Sequence, residues 1–253
     1  MIKKFLKRII FGTETFRRLS LAYSNEHFLF PSAFTGASPE KLRESMSLPA
    51  SQHVTQLNQD IFALLMNQFK KGFFLEIGAN DGFTLSNTVY LEEKFGWSGL
   101  LVEANPKYRD SLGGRKAKSL IVAITEKNGN YNFTDAGLYG GVTEYLDKTH
   151  ERMTRDATTI SVQGITLKHL LDDNNSPKVI NFVSIDVEGA EVPIVEQMCH
   201  LQDYRFVCGC IEHNNRSEDY KQISLLLNNA GYRIVWEGQT AHDLFFVDER
   251  CFD

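Results

Sequence analysis

The sequence predicts an α/β fold built on a mostly parallel, seven-stranded sheet with helices on both faces. From residue 73 onward, short apolar runs alternate with stretches whose apolar residues recur at helical spacing, as in parallel sheets covered on both faces. The last two apolar runs are joined only by a short turn around Gly238, so they should pair antiparallel and reverse one strand. A chain of 253 residues can bury about 70–75% of its unfolded surface, so its core needs no disulfides.

The elements are expected in a regular order after an irregular N-terminal segment. Residues 1–55, basic and then rich in proline and polar residues, are predicted to be an extension, whereas residues 56–253 form one domain. Residues 126–165 are the least regular part of that domain and are interpreted as a substrate-facing insertion. The predicted strands are 73–78, 99–104, 119–124, 181–187, 205–213, 232–236 and 243–248, and the predicted helices are 54–70, 86–95, 105–112, 166–173, 189–199 and 217–230.

The composition indicates the cellular compartment of the protein and the partners that it is expected to bind. The net charge of −5 opposes a broad nucleic-acid-binding surface. None of the four cysteines, Cys199, Cys208, Cys210 and Cys251, belongs to a CxxC pair, which favours free thiols over a disulfide or a zinc site. Free thiols are typical of the reducing cytoplasm, so we expect a cytoplasmic protein. From the net charge we expect that it does not bind nucleic acid.

The first 20 residues are basic, but they contain neither a signal-peptide pattern nor an apolar run of about 18 residues. On a helix, their apolar and basic residues would lie on opposite sides, which predicts peripheral contact with an anionic membrane, here its inner face. A helix packed on its own domain or in a homodimer is the alternative. The apolar residues are Ile2, Phe5, Leu6, Ile9 and Ile10, and the cations are Lys3, Lys4, Lys7 and Arg8.

The first predicted strand ends in the glycine loop GANDG, residues 78–82, at the edge where open parallel sheets bind ligands. Gly78 and Gly82 allow a positive φ and a close approach of the backbone to a ligand. A dinucleotide fingerprint would require glycine at the positions of Asn80 and Phe83, and Asp81 would repel a pyrophosphate. The loop therefore disfavours a nicotinamide cofactor.

A cationic ligand suits the same loop better. S-adenosylmethionine carries a sulfonium and an ammonium, which favour nearby carboxylates such as Glu76 or Asp81. Glu103 ends the second predicted strand, 25 residues after Gly78, where an acid can accept both hydroxyls of a ribose. Together, the acidic loop and this second acid predict S-adenosylmethionine as the cofactor.

Several segments resemble the FkbM-type methyltransferases. The stretch "FLEIGANDGFTLSNTVYLEEKFGWSGLLVEANP", residues 74–106, is similar to that family's glycine loop, helix start and second strand. The stretch "VSIDVEGAEVPIVEQM", residues 183–198, resembles its second hallmark, and "AGY" and "HDLFFV" match its closing region. The resemblance covers about residues 70–250 and implies a class I (Rossmann-like) S-adenosylmethionine-dependent methyltransferase, usually acting on oxygen. Many relatives have Asp where this chain has Glu76.

The resemblance and the loop together define a set of candidate cofactor-binding residues. They lie in the glycine loop, at the start of the helix that follows it, and at the end of the second strand. The candidates are Glu76, Gly78, Asn80, Asp81, Gly82, Ser86, Asn87 and Glu103.

Methyl transfer to a hydroxyl requires alignment of acceptor and sulfonium and usually the removal of a proton. Asp186 ends the apolar strand "NFVSID" and should point into the cleft, with Glu188 close behind it. Glu191 begins the next helix, where we expect it to act only through helix N-terminal electrostatics. The following strand ends at Glu212 and His213. The candidate catalytic residues are Asp186, Glu212 and His213, with His213 or Asp186 as the base in the absence of a metal.

An all-oxygen set at the same edge suggests a metal. Asp186, Glu212 and Asn214 follow adjacent strands, and strand alternation would place Glu212 and Asn214 on one face. Such ligands suit Mg²⁺, and metal-dependent O-methyltransferases use a similar arrangement, which is an analogy.

These observations predict an S-adenosylmethionine-dependent O-methyltransferase that acts on a hydroxyl of a sugar, a glycan or a small molecule. The basic N-terminal segment favours a role in polysaccharide biosynthesis, with natural-product tailoring as the alternative. A non-catalytic domain that binds S-adenosylmethionine is a further alternative, which the intact acids of the cleft oppose.

Overall fold

The structure, a computed structural model, describes Thr55, Leu57 and residues 59–146, 155–235 and 242–251. The predicted basic helix near the N-terminus and most of the predicted extension lie outside these residues. The boundary between residues 55 and 56 therefore stays a prediction. Within the described part of the chain, no helix is long and apolar enough to cross a membrane.

The described residues form thirteen strands, six α-helices and three short 3₁₀ turns. In chain order the strands are β1 (Phe73–Ile77), β2 (Ser98–Glu103), β3 (Lys118–Ile121), β4 (Ala123–Ile124), β5 (Gly129–Asp135), β6 (Gly141–Val142), β7 (Thr158–Ile165), β8 (Val179–Ile180), β9 (Phe182–Ile185), β10 (Arg205–Phe206), β11 (Cys208–Glu212), β12 (Tyr232–Val235) and β13 (Asp243–Asp248). The helices are α1 (Gln59–Met66), α2 (Val89–Phe95), α3 (Arg109–Leu112), α4 (Leu167–Asp173), α5 (Glu191–His200) and α6 (Ser217–Asn229), and the 3₁₀ turns are Pro106–Tyr108, Gly137–Tyr139 and Glu249–Cys251.

The main sheet has seven strands in the order β3-β2-β1-β9-β11-β13-β12. Every pair is parallel except the two that involve β13, which runs antiparallel to both β11 and β12. The prediction of seven strands with one reversed is therefore confirmed. The order reverses between β1 and β9, so their carboxyl ends flank the switch point at which ligands bind in such sheets.

Both faces of the sheet are buried, because each central strand alternates its side chains between two apolar cores. On β1, Leu75 and Ile77 pack in the core formed with α4, α5 and α6. Phe74 packs on the opposite side, in the core that includes residues of α1 and α2. Strands buried on both faces read as continuous apolar runs, which is why the sequence locates them well.

The prediction that residues 126–165 are irregular is wrong in part. Strands β5 and β7 from this segment pair antiparallel from Gly129↔Gly164 to Asp135↔Thr158, and they join β4 and β6 in a second, four-stranded sheet. This sheet reaches the edge of the main one, because a Cβ on Gly141 would lie 3.1 Å from the carbonyl oxygen of Val187. The strands of this sheet carry many small and polar residues, so the alternation of apolar and polar residues that identifies a strand is weak in the sequence.

Other predicted elements also differ in their bounds. The predicted strand 119–124 divides into β3, in the main sheet, and β4, in the second sheet, and the predicted helix 54–70 is the shorter α1. The helix after β1 begins at Val89 rather than at residue 86, since the preceding residues wrap around Glu76. The predicted strand 205–213 is interrupted at Val207, where the chain changes partner from β8 to β9. Among the described cysteines, Cys199, Cys208 and Cys210 are free thiols.

Candidate active site

A cavity of about 250 Å³ opens at the carboxyl ends of β1, β2, β9 and β11. The glycine loop forms one wall, the 3₁₀ turn Gly137–Tyr139 of the second sheet forms another, and the start of β13 closes the far end. This is the position at which a doubly wound sheet binds its ligand, and it is where the sequence predicts the cofactor.

Gly78 is required by the close approach of the segments that follow the parallel strands β1 and β9. Its φ is +89°, and a Cβ at this position would lie 1.6 Å from the carbonyl oxygen of Asp186. No side chain fits there, because the neighbouring atom belongs to rigid backbone. The glycine therefore brings the cofactor loop directly against the loop that carries Asp186.

Glu103 joins the glycine loop to the end of β2. Its Oε2 accepts a 2.8 Å hydrogen bond from the backbone N–H of Asn80, and its Oε1 accepts one of 2.7 Å from the N–H of Asn105. Burial raises the pKa of Glu103, although these backbone hydrogen bonds oppose the rise. Each carboxylate oxygen keeps a further lone pair. Glu103 can therefore still accept hydrogen bonds from the hydroxyl groups of a ligand in the cavity that it lines.

Glu76 organises the loop, which differs from the expectation that its charge faces the sulfonium. Its carboxylate accepts hydrogen bonds from the Ser86 hydroxyl, the Asn87 backbone N–H and the Thr88 hydroxyl. Burial raises the pKa of Glu76, and the Thr88 hydroxyl and the charge of Arg115 oppose that rise. Glu76 does line the cavity, but its oxygens are occupied by the chain that surrounds it.

Arg115 is a buried residue that sequence reasoning missed. Its guanidinium donates to the carbonyl oxygen of Gly82, to the hydroxyls of Ser86 and Thr88, and to Glu92, and its Nη1 lies 4.0 Å from Glu76 Oε2. It thereby fixes the glycine loop from behind. An arginine between two glycines and a lysine carries no local signal of this role.

Asp81 does not face the cavity, contrary to the expectation. Its carboxylate accepts hydrogen bonds from the backbone N–H groups of Phe83 and Thr84 and from the Thr84 hydroxyl, so it closes a local turn. Partial burial raises its pKa, but these hydrogen bonds outweigh that effect and lower it. Gly82 (φ +83°) also lies outside the cavity wall, with Leu112 packed where its Cβ would be.

Asn87 presents an atom that a ligand can use. Its Nδ2 donates a 2.9 Å hydrogen bond to the Ser184 hydroxyl, and its buried Oδ1 has no hydrogen-bond partner within the described residues. Asn87 lines the cavity together with Ser86. A buried acceptor left unmatched costs free energy, and the ammonium of S-adenosylmethionine or an acceptor hydroxyl would satisfy it.

Carboxylate oxygens of Asp186 and Glu212 lie within 4.8 Å of each other at the far end of the cavity. Asp186 lines the cavity and is exposed to solvent. Burial raises the pKa of Asp186 to about 7; the hydrogen bond with Glu212 opposes the rise, and the charge of Asp243 adds to it. Burial, followed by the charge of Asp186, raises the pKa of Glu212 to about 11. The pair therefore holds one proton much more tightly than a single carboxylate would.

The third member of this cluster is Glu188, not Asn214. Carboxylate oxygens of Asp186, Glu188 and Glu212 lie within 4.8 Å of one another. The Asn214 Nδ2 donates to Glu212 at 2.8 Å and to Glu188 at 3.3 Å, so the amide presents its nitrogen to the cluster. The predicted ligand set Asp186, Glu212 and Asn214 is corrected accordingly. Three clustered carboxylates fit a divalent cation well by their chemistry.

His213 is not placed to act as a base, contrary to the expectation. It does not line the cavity, and its ring packs edge-on against Tyr220 at 5.2 Å between centroids. Its Nδ1 accepts a hydrogen bond from the backbone N–H of Asn215. Burial, together with the charge of His242, lowers its pKa. The strand ends at Glu212, so the chain has already turned away at His213.

Glu191 does more than helix N-terminal electrostatics would suggest. It is fully buried, and it accepts hydrogen bonds from the backbone N–H groups of Val187 and Gly189. Arg216 Nη2 pairs with its Oε2 at 2.8 Å. This buried pair fixes the loop between Asp186 and Glu188, so Glu191 supports the carboxylate cluster from behind.

Two further residues of the cavity wall were not predicted. Gln59, at the start of α1, donates through Nε2 to Asp243 Oδ2 at 2.8 Å, and both side chains are buried. Register places Asp243 directly opposite Glu212 across the β11–β13 pair. Asp243 lies in the "HDLFFV" segment, and an acid at the start of a strand could have indicated a site residue. The sequence around Gln59 contains no comparable pattern.

The parallel sheet, its reversed β13 and the acidic cavity beyond β1 and β2 are the architecture of the class I S-adenosylmethionine-dependent methyltransferases. A family model described as "Methyltransferase FkbM domain" matches residues 76–234, which is more than half of the chain. The chain therefore belongs to the FkbM methyltransferase family, and it is an S-adenosylmethionine-dependent methyltransferase.

Solved structures of methyltransferases are also similar to this chain. The methyltransferase FkbM from Methylobacillus flagellatus KT is 10% identical, with a TM-score of 0.43 over 83% of this chain and 60% of that one. The O-methyltransferase from Bacillus cereus in complex with SAH is 14% identical, with a TM-score of 0.41 over 90% and 95%. The precorrin-6y C5,15-methyltransferase from Geobacter metallireducens GS-15 is 11% identical, with a TM-score of 0.38 over 79% and 90%. Comparison with curated protein sequences gave no significant match.

Proposed function

We propose that this methyltransferase transfers the methyl group of S-adenosylmethionine to a hydroxyl oxygen of a sugar, a glycan or a small polyhydroxyl molecule. The observation that carries the proposal is the close pair of carboxyl groups of Asp186 and Glu212, which lies in the cavity at the carboxyl ends of the strands and in which Asp186 is exposed to solvent. An oxygen nucleophile must lose its proton during transfer, and a carboxylate with a pKa near neutrality is suited to accept it.

The proposed cofactor position follows from the polar groups of the cavity. Glu103 would accept the ribose hydroxyls, and the backbone at Gly78 and Asn80 would contact the methionine portion. The unmatched Asn87 Oδ1 would accept a hydrogen bond from the ammonium. When bound, S-adenosylmethionine supplies an activated methyl: the oxygen–carbon bond forms as the carbon–sulfur bond breaks, and the sulfonium becomes a neutral thioether.

The carboxyl pair takes the proton. Asp186 is the candidate base, because its pKa of about 7 leaves a substantial charged fraction at neutral pH. Glu212, whose pKa is higher, holds the proton of the pair and orients Asp186 through their hydrogen bond. A carboxylate of ordinary pKa would be a much weaker base for a hydroxyl.

Mg²⁺ is a second part of the proposal. Asp186, Glu188 and Glu212 would hold a divalent cation, and the cation would lower the pKa of an oxygen bound to it. Octahedral Mg²⁺ keeps several positions for other oxygens, which suits the vicinal hydroxyls of a sugar. Chelation experiments separate a metal from a purely carboxylate base.

A glycan acceptor is favoured by the basic amphipathic segment of residues 1–20, which would bring the enzyme to the inner face of the membrane. Tailoring of a natural product is the alternative acceptor class.

Turnover with labelled S-adenosylmethionine tests the proposal. A panel of neutral sugars, amino sugars, uronic acids and polyhydroxyl aglycones is incubated with the protein, and the products are examined by mass spectrometry. Methylation at oxygen, lost in Asp186→Asn, supports the proposal. Methylation confined to nitrogen or carbon, or cofactor binding without transfer to any member, contradicts it.

A further inference from the structure

The cavity wall has a one-sided charge. Six of its lining residues carry carboxyl groups, and no Lys, Arg or His lines it within the described residues. Two of the acids, Glu76 and Glu103, lie at the cofactor loop, and the others surround the far end. The six are Glu76, Glu103, Asp186, Glu188, Glu212 and Asp243.

The cations nearest to this wall are engaged elsewhere. Arg115 is buried behind the glycine loop, where its guanidinium contacts Glu92, Gly82 and two hydroxyls and lies 4.0 Å from Glu76. Lys107 pairs with Asp135 at the base of the second sheet. Arg216 pairs with Glu191 and Asp219 beneath the loop that follows β9. Arg115 and Lys107 offset part of the charge of Glu76 and Glu103, but none of these cations lines the cavity within the described residues, so the acids of its far end face an entering ligand directly.

Charges in a partly enclosed cavity act more strongly than on an open surface, because less water screens them. We infer that this cavity selects its ligands by positive charge, so that it holds cationic S-adenosylmethionine and releases its neutral product, S-adenosylhomocysteine. The inference deepens the proposed function and rests on it for the placement of the sulfonium near the far end.

The charge preference would favour binding of the cofactor before methyl transfer and release of the product after it. Methyl transfer removes the sulfonium charge, so the attraction that favours the cofactor is lost as the product forms. The two ligands have nearly the same shape and the same contacts for adenosine and amino acid. A difference in their affinities therefore reports the charge preference of the cavity and little else.

Calorimetry with three ligands tests the inference without any acceptor. The full chain is titrated with S-adenosylmethionine, with S-adenosylhomocysteine, and with sinefungin, which carries an ammonium in place of the methylsulfonium. Titrations in EDTA at about pH 8 keep divalent cations out of the cavity. We expect both cationic ligands to bind at least about tenfold more tightly than S-adenosylhomocysteine.

Charge-removing variants at the far end show whether the wall is the cause. Glu188→Gln and Asp243→Asn are each expected to reduce the preference about threefold or more, while affinity for S-adenosylhomocysteine changes little. The two variants are independent, so one remains informative if the other does not fold. Glu218→Gln is the matched control, because that side chain is 83% exposed on α6 and pairs with Lys221. It should leave the preference unchanged.

Equal or tighter binding of S-adenosylhomocysteine, or failure of S-adenosylmethionine to bind, would overturn the inference. So would a preference that responds to Glu218→Gln as much as to the cavity variants. A charge preference in a protein that methylates no hydroxyl would support the inference and contradict only the proposed function.

Discussion

The backbone N–H of Asn80 donates a 2.8 Å hydrogen bond to Oε2 of Glu103, which joins the glycine loop to the end of the second strand. Asn80 adopts a left-handed conformation with φ of +49°, so its N–H turns toward the neighbouring strand. One carboxylate therefore shapes the loop and also faces the cavity. Its loss should disturb the cofactor through both routes.

Glu103→Ala should weaken S-adenosylmethionine binding about 30–150-fold, or about 2–3 kcal/mol, because two hydroxyl hydrogen bonds are lost. Calorimetry measures the change, and thermal unfolding shows whether the loop loosens as well. Glu103→Gln keeps the shape and should cost less. Unchanged affinity in the alanine variant would remove Glu103 from the cofactor site.

Asp186→Asn should abolish turnover while S-adenosylmethionine still binds, since the amide keeps the shape and cannot take a proton. Product formation and calorimetry on the same preparation separate the two effects. His213→Gln serves as the comparison, because His213 lies outside the cavity and its loss should leave most of the activity. Near-normal turnover in Asp186→Asn would make this carboxylate structural.

The pKa of Asp186 near 7 sets two expectations for pH. If Asp186 acts without a metal, activity in EDTA should rise as pH increases through about 7, because only the charged carboxylate accepts a proton. Stability should respond in the opposite sense: the folded protein binds this proton more tightly than the unfolded chain, so folding weakens as pH rises from about 4 to about 7.

Asp186→Asn removes that linkage. Its Tm should exceed that of the parent by an amount that grows between pH 4 and 7 and then stays constant, which thermal scans across pH can follow. A Tm difference that is independent of pH would show that Asp186 keeps an ordinary pKa.

If Asp186, Glu188 and Glu212 hold Mg²⁺, activity should vanish in EDTA and return with Mg²⁺ or Mn²⁺. The restored activity should extend to lower pH, because the cation's charge lowers the carboxyl pKa values. Glu188→Gln should raise the Mg²⁺ concentration required, whereas the exposed Glu218→Gln should not. Full activity after exhaustive chelation would show that Asp186 acts without a metal. The rise of activity through about pH 7 would then apply.

Deletion of residues 1–20 should leave a folded, cofactor-binding protein with reduced affinity for anionic vesicles. Each cation near such a surface contributes about 1 kcal/mol, and Lys3, Lys4, Lys7 and Arg8 would be removed together. Co-sedimentation with vesicles of defined anionic lipid content measures the difference. Equal binding by both forms, or binding by neither, would favour a helix that packs within the protein or in a homodimer.

The sequence by itself determined the architecture and predicted the place of the site. The strands of the main sheet are buried on both faces, so continuous apolar runs identify them, and the short connection before Asp243 fixes the reversed strand. The position of the cavity followed from topology, because parallel strands end at one edge. Gly78 and Glu103 could be named in advance, since a positive φ requires glycine and an acid at a strand end faces the ligand edge, whereas the contact of Gly78 with the backbone of Asp186 came only from the structure.

Only the tertiary structure decided which side chains meet inside the cavity. Strand alternation placed Glu212 and Asn214 on one face, and their side chains do meet in the cavity, but the amide of Asn214 presents its nitrogen, not its oxygen, to Glu212. Glu188, with φ of +59°, is turned into the cluster. The contact between Gln59 and Asp243 joins residues 184 positions apart. Such directions depend on left-handed loop conformations and on long-range packing, and neither leaves a periodic trace in the sequence.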